Sequence, residues 1–154
     1  MIYSSQCEYA IRAMTRMAIR FGEGPVAAKT LAGEEDIPFH FLAKILQQLS
    51  RRGLLVSKKG PRGGFILARP PEEIPVIDIV EIIDGLGFLN RCAVGYLVCS
   101  DETPCPQHDL WMSVREHLRN YMENTTLSDM AEVVESKLKS RAARAATADG
   151  VAQA

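Results

Sequence analysis

The segment CAVGYLVCSDETPCPQH, Cys92 to His108, holds three of the chain's four cysteines and one of its three histidines. Its spacing is Cys92-x6-Cys99-x5-Cys105-x2-His108. Three thiolates and one imidazole form a four-donor set suited to a soft or borderline metal. Gly95, Pro104 and Pro106 make the segment a poor helix and a poor strand. A loop of roughly twenty residues without secondary structure is unusual in a compact domain. A metal centre explains it, because metal–thiolate bonds replace the missing core. The bland readings are reduced surface cysteines or a redox disulfide pair. Structural zinc usually uses a Cys-x2–4-Cys hook, which is absent here, whereas an iron–sulfur cluster is wider and suits widely spaced thiolates. Spacing alone does not decide between them.

The rest of the chain limits what such a loop can serve. The 154 residues suit one domain, and 47% hydrophobic with 24% charged residues is globular usage. Net charge is −1, so any nucleic-acid site must come from local segregation of charge. No run of about 18 apolar residues suggests a membrane span. The start, MIYSSQCEYAIRAM, lacks the basic and apolar regions of a signal peptide. The expectation is a cytoplasmic, reducing location, where clustered cysteines bind metal or react rather than cross-link. With no nucleophile–base pair and no carboxylate pair in a Gly-framed turn, no enzyme and no small-molecule substrate are expected.

Apolar periodicity sets out the elements that must carry the loop. Ala10, Met14, Met17, Ala18 and Phe21 predict a helix over 5–21. A short helix over 26–33 and a third over 38–52 follow, the last with Leu42, Ile45, Leu46 and Leu49 inward. LLVSKKGPRGGFILA reads as a two-stranded hairpin around a glycine-rich turn. A helix at 75–84, the cysteine loop, a helix at 107–123 and a shorter helix N-capped by Thr126 complete the order. The 107–123 helix carries Trp111, Val114, Leu118, Tyr121 and Met122 on one side. That exceeds what a small domain needs and suits packing against a second copy. The expected regions are a DNA-binding unit over 1–84, a cysteine-rich loop over 85–107, a dimerisation helix plus a short helix over 108–139, and a frayed tail over 140–154.

Three helices and a hairpin is the order of a winged helix-turn-helix: mainly α with a small β wing, here followed by a long C-terminal helix. Opposite the leucine stripe of 38–52 stand His40, Lys44, Gln47 and Arg51, able to bond base edges or phosphates. The bland reading is a solvated face. Arg51, Arg52, Lys58, Lys59, Arg62 and Arg69 fall in one span with no acidic residue, which tips the balance toward double-stranded DNA. Glycines around the hairpin cations would let them approach a backbone or minor groove closely.

The run from Tyr9-Ala10 through LAKILQQLSRRGLLVSKKGPRGGFILAR to the three cysteines and TTLSDM resembles the IscR/NsrR-type transcriptional regulators, the Rrf-two family. The resemblance spans about residues 1–135. It implies a homodimeric winged-helix DNA binder with an iron–sulfur cluster on Cys92, Cys99 and Cys105, whose state sets which promoters are bound. His108 matches the fourth ligand of a 2Fe–2S set and is favoured. Glu8 matches a carboxylate reached from a partner's first helix, and with it a 4Fe–4S cluster stays open. A zinc-bound or thiol-redox regulator of DNA or RNA is the alternative.

Overall fold

The computed structural model describes residues 2–96 and 99–151, with side chains described through Arg141. Leu97 and Val98, inside the expected loop, and residues 152–154 of the expected tail lie outside the described residues.

Helix α1 spans Ser5–Ile19. Ser4 caps it by accepting from the Cys7 N–H at 3.1 Å. Ala10, Met14, Met17 and Ala18 are buried as their spacing predicts. Phe21 departs from the expected stripe: the helix ends before it, and its ring is half exposed at the rim of an open cleft shared with Met17, Val26 and Phe65. Helices α2 (Ala28–Glu34) and α3 (Phe39–Arg51) follow. Gly53, at φ +83°, takes the left-handed conformation that ends α3, and the Leu54 N–H reaches back to the Leu49 carbonyl.

Strands β1 (Leu55–Lys58) and β2 (Gly64–Leu67) pair antiparallel with Leu55 opposite Leu67 and Lys58 opposite Gly64. Val26, just before α2, adds a third rung by exchanging two 2.9 Å backbone hydrogen bonds with Phe65. The wing is therefore sewn to the helical body. The whole unit is a winged helix-turn-helix.

Helix α4 spans Val76–Ile83, α5 His108–Asn124 and α6 Leu127–Val151. Backbone bonds from Val76 to Thr125 (2.8 Å) and from Leu127 to Ile74 (2.9 Å) pin the α5–α6 junction to the start of α4. Thr126 and Asp129 cap α6 reciprocally: each backbone N–H donates to the other's side chain. The Thr126 N–H and hydroxyl hold the Asp129 carboxyl below its ordinary value. Helix α6 packs back on α1, burying Leu127 and Ala131.

Its length differs from expectation. It runs 25 residues rather than ending near 139, and the expected fray over 140–154 is helical to Val151. The segment RAARAATA is rich in alanine, the strongest helix former, so local propensity extends the helix without an apolar face. Among the described residues, no helix is long and apolar enough to cross a membrane.

Candidate nucleic-acid interface and thiol-rich loop

Burial of Leu42, Ile45, Leu46 and Leu49 fixes the rotation of α3, each contributing about 1.5–3 kcal/mol. The opposite face is thereby held outward, and His40, Lys44, Gln47 and Arg51 are all exposed on it. Phe39 and Phe41 are also exposed at the start of α3, and the Phe39 ring meets His40 edge-on at 5.4 Å. Sequence periodicity gave these two aromatics no role.

Lys58, Lys59 and Arg62 are exposed on the wing. Arg69 is instead spent internally on Asp78, at 2.7 Å. Among the described residues none of Arg51, Arg52, Lys58, Lys59 and Arg62 forms an ion pair, so five cations remain for an anionic partner.

Two wing glycines serve differently from expectation. A Cβ on Gly64 would lie 2.3 Å from the Val26 carbonyl oxygen, and one on Gly63 would lie 2.3 Å from that of Lys58. Their lack of bulk lets the protein's own backbones meet. Gly60, with nothing within 4 Å of its Cβ position, is the glycine with open space around it.

Gln48, one residue from the exposed face, is half-buried and turns inward. Its Nε2 donates to the Ile82 carbonyl at 2.9 Å, on the last turn of α4. Ser4 grips the same end of α4, its N–H donating to the Asp84 carboxylate at 2.9 Å. The recognition-type helix and α1 are thus both fastened to the point where the chain leaves for the cysteine loop.

In the loop, Cys92 (8% exposed), Cys105 (7%) and His108 (5%) are buried and Cys99 is half-buried. The Cys92 and Cys105 thiols are near enough to shift one another's titration, Cys92 downward and Cys105 upward. Cys99 Sγ lies 3.5 Å from His108 Nδ1. His108 Nε2 meets Asp101 Oδ1 at 2.8 Å. Among the described residues no group of three His, Cys, Asp or Glu side chains converges as a one-ion site requires. All four cysteines are free thiols.

Local backbone dipoles tune the pair. The Val94 N–H, with those of Tyr96 and Gly95 and the Cys105 thiol, lowers the Cys92 pKa against a smaller opposing burial effect. At Cys105 the Gln107 N–H pulls downward, but burial and the Cys92 and Cys99 thiols outweigh it and raise the value. The four donors lie at the positive N-terminal end of α5, which favours anionic sulfur.

Trp111 holds the loop's entrance. Its indole N–H donates to the Arg91 carbonyl at 2.8 Å, placing the residue before Cys92 against the first turns of α5. Apolar periodicity places Trp111 on the helix stripe but leaves no sign of this polar bond, because its partner lies twenty residues away.

Glu8 is half-buried on α1, and among the described residues its side chain has no hydrogen bond or ion pair. Its neighbour Cys7 is fully buried. Burial, followed by Asp84 and Glu8, pushes the Cys7 thiol up to about 12, so it stays a neutral core thiol.

A family model described as an iron-dependent transcriptional regulator, Rrf2, matches residues 3–133. A protein of Aquifex aeolicus named as an HTH-type transcriptional regulator is 33% identical over 140 residues, covering 90% of this chain and 96% of that one. Two solved structures have similar folds. CymR, the global cysteine regulator of B. subtilis, superposes with TM-score 0.76 at 26% identity over 86% of this chain and 98% of that one. The IscR of T. potens gives 0.72 at 28% identity over 89% and 90%. These relatives are regulators, not enzymes, and the chain belongs to the Rrf2 family of transcriptional regulators.

Proposed function

We propose that this regulator binds double-stranded DNA as a homodimer and holds an iron–sulfur cluster on Cys92, Cys99, Cys105 and His108, 2Fe–2S rather than 4Fe–4S. The observation that carries it is the placement of the donors at one end of α5: Cys92, Cys105 and His108 are buried, and half-buried Cys99 lies 3.5 Å from His108 Nδ1. The donor chemistry fits, with three soft thiolates and one imidazole at a helix's positive end. When bound, such a cluster supplies a redox-sensitive centre that assembles and is lost. Glu8 remains the alternative fourth ligand. Four unpaired cysteines suit a reducing, cytoplasmic setting. Anaerobic purification with iron, sulfide and zinc analysis and absorption spectra tests the reading; colourless protein with stoichiometric zinc would overturn it.

The dimer reading rests on α5, where Leu110, Val114 and Tyr121 are exposed along one side and Met122 and His108 alone are buried. Such a face is stable in water when a second copy covers it.

DNA contact divides between α3 and the wing. Arg62→Ala is expected to weaken binding to all sequences and to lower the salt slope by about one unit, as a lost phosphate contact does. Gln47→Ala is expected to cost about 1–3 kcal/mol on the operator and little on random DNA. Fluorescence anisotropy over a salt series separates the two. Equal losses on both DNAs would show that Gln47 is not a base reader.

Coupling between the sites runs through α4. Trp111 and the donors hold the loop to α5, Ser4 and Gln48 hold the end of α4, and Gln48 belongs to α3. A change in loop order therefore pulls on a carbonyl that α3 also holds. Gln48→Leu is expected to bring the operator-affinity ratio of cluster-loaded to cluster-free protein close to one, with random-DNA binding retained. An unchanged ratio would route the coupling elsewhere.

A thiol-redox reading has one observation of its own, the mutual influence of the Cys92 and Cys105 thiols on each other's titration. It requires a colourless protein that loses two titratable thiols on mild peroxide treatment, with DNA affinity changing in step.

A further inference from the structure

His108 is the one donor of the set with two chemically distinct atoms to offer, and nothing in its spacing says which one faces the thiols. Its ring is buried and has a neighbour at each nitrogen. Nδ1 faces Cys99 Sγ at 3.5 Å, and Nε2 faces Asp101 Oδ1 at 2.8 Å. A carboxylate at neutral pH accepts hydrogen bonds and donates none. The Nε2 proton of a neutral ring is therefore the one this geometry stabilises, which leaves the Nδ1 lone pair aimed at the thiol side.

We propose that Asp101 is a positioning residue: it holds the Nε2–H tautomer of His108 and so makes Nδ1 the nitrogen available to a metal centre. The assignment deepens the cluster reading above and rests on it for the identity of the centre. A carboxylate on the far nitrogen of a ligating histidine fixes ring orientation and raises its basicity, and losing such a partner weakens metal retention. Asp101 belongs to the turn Ser100–Thr103, where the Thr103 N–H and hydroxyl both lie within hydrogen-bond distance of the Ser100 hydroxyl. That turn closes the chain between Cys99 and Cys105 and carries the carboxylate back to His108, seven residues on. The Asp101 side chain is 95% exposed while that of His108 is 6% exposed. Water competes for the carboxylate, so the expected effect is a shifted tautomer and a more labile centre, with the fold intact.

The test uses the full-length chain in two forms. In reduced, metal-free protein, long-range proton–nitrogen correlation spectra report the His108 tautomer directly. Wild type is expected to be mainly Nε2–H. Asp101→Asn, which keeps an accepting oxygen, should preserve it, and Asp101→Ala should shift it toward a mixture. In the iron-loaded protein, Asp101→Ala should release iron about tenfold faster to a chelator. Asp101→Asn should retain iron and raise the midpoint potential, since one negative charge beside the ligand is gone. A wild type mainly in the Nδ1–H form, or an Asp101→Ala variant with wild-type tautomer and wild-type iron release, would overturn the assignment. Protein that never binds iron would sink the cluster reading instead, while the metal-free spectra still decide the role of Asp101.

Discussion

Cys105→Ala is expected to purify anaerobically without visible colour and without bound iron, yet to unfold as cooperatively as the wild type. Cys105 closes the loop onto the first turn of α5. Its thiol is one of the buried donors, and its carbonyl accepts the His108 N–H at 3.0 Å. Replacing it with alanine takes one thiolate from a four-donor set while keeping the backbone bond to His108. The winged core does not depend on it: Met14, Leu31, Leu42, Leu46, Leu49, Leu55 and Ile79 are fully buried among themselves, and none comes from the loop. Cys99→Ala should behave alike. Cys7→Ala is the control, since that thiol is buried against Asp84 rather than near the other three. It should keep full colour and lose about 1 kcal/mol of stability from a small cavity. Iron analysis, absorption spectra and thermal unfolding of the three variants check this together. Retained colour in Cys105→Ala would move the centre off this loop.

The physical reason for legibility differs between elements. Helix α3 was readable because burial and periodicity are the same signal. Leu42, Ile45, Leu46 and Leu49 recur at helical spacing, and the outward His40, Lys44, Gln47 and Arg51 follow by rotation. The hairpin was readable from its glycines, and the donor loop from residue types that few other structures need. The bonds that fasten these parts were not readable. Gln48 to Ile82 and Trp111 to Arg91 join a side chain to a distant backbone carbonyl. A carbonyl is present in every residue, so such a partner leaves no mark in the sequence. Arg69 looks like a free cation in the sequence for the same reason, as its pairing with Asp78 depends on how the end of β2 meets α4. Helix α6 outruns its apolar stripe because its last turns follow alanine propensity, which a stripe does not register.

The wing glycines show how a correct motif can carry the wrong cause, and they give the second large effect. Gly64→Ala is expected to destabilise the protein by about 2–4 kcal/mol and to weaken operator and random DNA alike by at least about tenfold. The new Cβ would stand 2.3 Å from the Val26 carbonyl oxygen and 2.5 Å from its carbon. Both are backbone atoms, so no rotamer change relieves the overlap. Relief comes by parting β2 from Val26, which gives up the two 2.9 Å bonds between Val26 and Phe65. The wing then swings free of the body, and Lys58, Lys59 and Arg62 lose their fixed position relative to α3. Cluster colour should persist, because the donors lie at the other end of α4, on α5 and its loop. The same exchange at Gly33, inside α2 with nothing within 4 Å of its Cβ position, should instead be neutral or stabilise by up to about 1 kcal/mol. Urea unfolding and anisotropy titrations separate the two variants if backbone contact is the cause: Gly64→Ala loses stability and DNA affinity, and Gly33→Ala loses neither. Native stability in Gly64→Ala would show that the Val26 segment yields and that this rung does not set the wing's position.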